Sequence, residues 1–121
     1  MAARTNPVPR IIIRSAYLEG TVASADRPAF DAHMRGPVMA AIASYPGLRD
    51  VRLRELARGE EGAPAVYMIF DLYFDSLADM DAALSSATRQ AVRATIQEGM
   101  RGFQGRVYHL VFSESGSAAA P

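Results

Sequence analysis

A chain of 121 residues, half of them hydrophobic, suffices for one ordinary domain with a single core. Thirteen acids balance thirteen bases, so no long-range field gathers nucleic acid or an anionic membrane, and neither is expected as a partner. With no cysteine there is no disulfide and no thiolate metal site, and no stretch reaches the roughly eighteen apolar residues of a membrane span, so a cytoplasmic location is expected.

Every base is arginine, which reads as coding bias in an alanine- and arginine-rich chain rather than as selection for bidentate anion contacts. Residues 1–9 and 114–121 offer little to bury and are expected to be flexible ends of a single domain over residues 10–113. Residues 10–19, RIIIRSAYLE, are β-branched and aromatic and stop at Gly20, which predicts a first strand. Asp26 is placed to cap a helix and Pro28 suits its first turn. Phe30, Met34, Val38, Ala41, Ile42 and Tyr45 then recur at helical spacing as far as Pro46 and Gly47. Within this helix Pro37 offers no N–H to the carbonyl of His33. A kink or a bound water is expected there, with Gly36 easing the restriction that a proline imposes on its predecessor.

Leu48 to Leu56 alternates and turns Arg52 and Arg54 toward water, as an edge strand does. After the turn ARGEEGAP comes VYMIFDLYF. Val66, Met68, Phe70, Leu72 and Phe74 point one way, Tyr67, Ile69 and Tyr73 the other, and Asp71 is the only charge. Ser76 and Asp79 stand at capping-box spacing at the head of a second helix. A further helix starts near Thr88 with Val92, Ile96 and Met100 on its inner face. Gly102 stops it, and Phe103 to Phe112 reads as the last strand.

The order βαββαβ predicts an α+β, ferredoxin-like unit whose four-stranded antiparallel sheet has its first and third strands in the centre. Helices cover one face of such a sheet, yet the third strand is apolar on both. A second copy packed face to face is the simplest cover, giving a homodimer. The alternative is a monomer with an exposed aromatic patch.

Three segments, FDAHMRGPVMAAI at 30–42, PGL at 46–48 and FDSLADMDAAL at 74–84, resemble the EthD-like branch of the dimeric α/β-barrel superfamily. The resemblance spans about residues 10–113 and implies two ferredoxin-like protomers whose sheets form a barrel, with a small apolar pocket between sheet and helices. It also implies an accessory or catabolic role toward small organic molecules, in a superfamily that includes monooxygenases and isomerases working without metal or flavin. Where the EthD pattern often reads His-Ala-Pro, this chain has Arg35, Gly36 and Pro37, and arginine cannot act as a base at neutral pH. The lack of tryptophan speaks against a haem-degrading relative.

His33 and Asp71 are the candidate catalytic groups. His33 lies beside the apolar stripe of the first helix and titrates near neutrality, though no carboxylate at helical spacing orients it. Asp71 is either a general base with a raised pKa or half of an ion pair, with Arg14, Arg106 or a tyrosine as partner. Pro37, Tyr17, Tyr67, Tyr73, Tyr108 and His109 are the candidate ligand-binding residues, since tyrosines give an apolar wall with a hydroxyl at its rim. The chain has no phosphate loop, nucleophile elbow or metal-spaced histidine pair, so no metal and no cofactor is expected. Two functions fit these features: a cofactor-independent monooxygenase or isomerase for a small hydrophobic or aromatic compound, or a non-catalytic ligand-binding or purely structural dimeric module.

Overall fold

The computed structural model describes residues 11–121, so the flexible segment expected over residues 1–9 lies outside the described residues. The elements are β1 (Ile12–Val22), α1 (Arg27–His33), a π-helical turn (Met34–Val38), α2 (Met39–Ala43), β2 (Asp50–Glu55), β3 (Val66–Phe74), α3 (Leu77–Leu84), α4 (Thr88–Gly99) and β4 (Phe103–Ser113). The strands pair antiparallel in the order β2-β3-β1-β4, with the first and third central, in a ferredoxin-like α+β fold. β1 runs past Gly20, where the sequence suggests an end. Gly20 pairs with Gly105, and a Cβ there would collide with the carbonyl oxygen of Gln104, so this glycine permits a close backbone approach.

Alternation divides the sheet into two faces. Met68, Phe70, Leu72 and Phe74 of β3, with Ile12 and Leu18 of β1, pack against Phe30, Met34, Val38, Ile42 and Val92 of the helical layer. Ile69 and Tyr73 lie half-buried on the other face, which none of the described elements covers. Tyr67 departs from its expected place beside them. Leu18 pairs with Met68 but Glu19 pairs with Val66, leaving Tyr67 as the extra residue of a β-bulge. The bulge swings its ring to α1, edge-on to Phe30 at 5.6 Å, where its hydroxyl donates to Asp31 Oδ1 at 2.7 Å.

Asp26 occupies the N-cap position of α1 with Pro28 in the first turn, but its side chain makes no capping bond. Its backbone is already helical, φ −92° and ψ −15°, rather than in the extended form from which a cap reaches back. Ser76 is extended and does cap α3, accepting the Asp79 N–H at 3.0 Å. At Pro37 the helix widens instead of breaking, because in a π turn each acceptor looks five residues ahead and can step over the missing donor. The wider turn also keeps Phe30, Met34, Val38 and Ile42 buried together. At 3.6 residues per turn, their four-residue spacing would drift round the axis.

Candidate functional site

A cavity of about 320 Å³ opens between the helix-facing side of the sheet and the helical layer. Its walls are apolar, with Leu18 and Phe70 from the sheet, Met34 and Ile42 from the first helical segments, and Val92 and Ile96 from α4. Alternation along β1 puts Arg14 on the same face as Ile12, Ala16 and Leu18, and His109 of β4 pairs with Ala16 beside it. On α4, Arg89, Arg93 and Gln97 recur every four residues, next to Val92 and Ile96, and so line one side of the cavity. Tyr45 completes the polar groups, and no acidic residue lines the cavity.

This arrangement leaves cations facing cations. Burial, and then Arg89, lower the affinity of the Arg14 guanidinium for its proton; Tyr45 opposes this and Arg93 adds to it, although arginine stays charged throughout. Burial against the cavity wall, and then Arg14, Arg89 and Arg93, push the His109 imidazole down to about 4, so it is neutral at pH 7. His109 retains an exposed side at the cavity mouth, where water moderates the effect.

Of the residues singled out from sequence, the cavity gathers only His109. His33 turns toward α4, where its Nε2–H donates to the carbonyl of Thr95 at 2.6 Å and its ring lies on Gly99. Pro37 is exposed on the outside of the π turn. Asp71, Tyr17 and Tyr73 line a shallow concavity on the uncovered face, and Tyr108 stacks on Tyr17 with centroids 5.0 Å apart. Asp71 is buried but fully engaged. The Ser15 hydroxyl donates to Oδ1 at 2.6 Å, and Arg54 donates from Nε to Oδ2 at 2.6 Å and from Nη2 to Oδ1 at 3.1 Å. Register explains this choice of partners: Ser15 stands opposite Asp71, whereas Arg14 points to the other face and Arg106 pairs with Glu19. Arg35, in the triplet where EthD proteins often carry histidine, is held by Glu55 through bonds of 2.9 and 2.6 Å.

The sequence reading named Arg14 only as a partner for Asp71 and Tyr45 only in the apolar stripe of the first helix, and it singled out neither Arg89 nor Arg93, so the polar side of the cavity was missed. The signal was available in the alternation of Ile12, Arg14, Ala16 and Leu18, and in the spacing of Arg89 and Arg93 beside Val92 and Ile96, but it was absorbed into coding bias. Among the described residues, no three His, Cys, Asp or Glu side chains come together as a metal site, and no helix is long and apolar enough to cross a membrane.

No family model and no curated protein matches the sequence. Solved structures do match. An ethyl tert-butyl ether D (EthD) family protein from Bacillus halodurans C-125 superposes with a TM-score of 0.66 at 18% identity, covering 88% of this chain and 99% of that one. A dimeric protein of unknown function and ferredoxin-like fold from Bacteroides fragilis gives 0.61 at 10% identity, covering 86% and 96%. A candidate antibiotic biosynthesis monooxygenase from Bordetella bronchiseptica gives 0.60 at 16% identity, covering 88% and 98%. At these identities the likeness is one of fold, and it agrees with the EthD-like resemblance of the three sequence segments.

Proposed function

We propose that this protein binds a small hydrophobic organic molecule in the cavity between sheet and helices and transforms it without a cofactor, as a monooxygenase or isomerase. The observation that carries this reading is the cavity itself: about 320 Å³ of apolar wall with an imidazole and three guanidinium groups at one side. A packed interior would have favoured a purely structural role. His109 is neutral and can take a proton from a carbon acid next to a carbonyl, and the negative charge left on the substrate then faces Arg14, Arg89 and Arg93. Returning the proton to another carbon completes an isomerisation, whereas addition of the carbanion to dioxygen gives a peroxide that takes the proton back from His109. Cleavage of its O–O bond with loss of water leaves a carbonyl on the same carbon, the substrate supplying the electrons. The fold shared with the candidate monooxygenase from Bordetella bronchiseptica supports the second route.

Binding without conversion is the competing reading, favoured by the low proton affinity of His109 and by the absence, among the described residues, of a side chain hydrogen-bonded to its ring. Asp71, held by Ser15 and Arg54, is assigned to structure. The working unit in this reading is a homodimer closed over the uncovered sheet face; that a neighbour of ferredoxin-like fold, from Bacteroides fragilis, is described as dimeric supports self-association.

The test is exchange of acidic C–H for C–D in small ketones and lactones incubated with the protein in heavy water, followed by NMR. Exchange should vanish in His109→Gln and persist in Asp71→Asn. Compounds that bind but never exchange would establish the binding module instead. Binding that survives Ile96→Trp, which fills the cavity, would move the site elsewhere.

A further inference from the structure

The geometry points to an organic anion as the ligand of this cavity: a carboxylate, or an acid of the same charge, held by Arg14, Arg89 and Arg93 with its hydrocarbon part on Leu18, Phe70, Val92 and Ile96. The inference rests on the cavity being the ligand site and adds the charge of what enters it. The contrast with the rest of the surface carries the argument. Of the eight described arginines outside the cavity, six, Arg35, Arg49, Arg52, Arg54, Arg58 and Arg106, each meet a carboxylate within 4.0 Å, while Arg27 and Arg101 do not. Arg14, Arg89 and Arg93 form no ion pair among the described residues, and they share a cavity without an acid. Arg14 projects from a central strand into the helix-facing side of the sheet, where an uncompensated charge is costly. Arg89 sits in the first turn of α4, a turn without an acidic residue, where the helix dipole disfavours a cation. These two costs, and the like charge of Arg93 beside them, find their compensation in an anion. A planar carboxylate suits guanidinium forks, and the surrounding wall requires an apolar body.

The test compares matched acids and alcohols by calorimetry at pH 7.5 and low salt: octanoate against 1-octanol, benzoate against benzyl alcohol, and inorganic phosphate as an anion without an apolar body. The acids should bind at least ~10-fold more tightly than their alcohols, in keeping with charge-assisted bonds, and the ratio should contract as salt is added. Arg14→Gln and Arg93→Gln should bring the ratio toward unity while the alcohols bind as before. Without ligand, Arg93→Gln should keep or raise Tm, because it relieves like-charge repulsion. Equal affinity for acid and alcohol overturns the inference and leaves the apolar-ligand reading standing, as does an acid preference that survives both variants. Phosphate binding as tightly as octanoate also overturns it, since the apolar body would then contribute nothing. A fall in Tm with an unchanged ratio marks the arginines as structural and overturns it as well. Tight acid binding without any C–D exchange keeps the inference and refutes the proposed catalysis.

Discussion

His109 is the residue through which pH should act on this molecule. Its proton affinity is depressed to about 4 by burial and then by Arg14 of β1 and Arg89 and Arg93 of α4, against 6.5 for the ordinary imidazole; Tyr45 lies across the same cavity. Between these two values the unfolded chain binds a proton that the folded chain does not, so stability rises with pH across the window and is lost as pH falls through it. Tm measured from pH 4 to 7.5 should follow that slope, and His109→Gln should flatten it. An unchanged slope in the variant would place the titration elsewhere. Asp71 sits on the opposite face and makes a different prediction. Asp71→Ala strands the Ser15 hydroxyl and the Arg54 guanidinium, and should cost about 1–3 kcal/mol in chemical denaturation. That Asp71 is paired was legible, because a lone charge in an apolar strand requires a partner. Which partner it takes was not, because the choice depends on cross-strand register, which puts Ser15 opposite Asp71 and Arg54 within reach from the edge strand.

The contact between α1 and α4 is as tight as a glycine allows. A Cβ on Gly99 would collide with the His33 ring, so Gly99→Ala must displace that ring and break its bond to the Thr95 carbonyl. The substitution should cost on the order of 1 kcal/mol net, overpacking outweighing the better helix propensity of alanine. Because the ring itself is the obstacle, His33→Ala should make Gly99→Ala neutral or stabilising, and additive effects in the double variant would contradict this contact. The sequence showed that the helix is irregular at Pro37, but the choice of a π turn over a kink lies in the packing of Met34 and Val38, both fully buried. The elements of the sheet were legible because alternation and turn residues are local. The bulge that redirects Tyr67 was not, since it arises where Glu19 of the neighbouring strand skips a residue.

The uncovered face presents Ile13, Tyr17, Ile69 and Tyr73, flanked by Leu110 and Phe112, which are 46% and 43% exposed in the single chain. The exposed edge of β4 is a second surface that could pair with another chain, through its unbonded backbone groups. Face-to-face packing is favoured because it removes the aromatic side chains from water, whereas edge pairing leaves them exposed. Sedimentation or light scattering at micromolar concentration should therefore give twice the chain mass. Ile69 pairs with Tyr17 on one side and Arg54 on the other, near the middle of that face. Ile69→Arg places a second cation beside Arg54 in a surface the dimer dries, and should weaken association by on the order of 2 kcal/mol, roughly thirtyfold in Kd. A wild-type protein of single-chain mass would refute the assembly outright. A dimer that tolerates Ile69→Arg with mass and Tm unchanged would instead point to the β4 edge, and the aromatic face would then have to be covered by something other than a second copy of this chain.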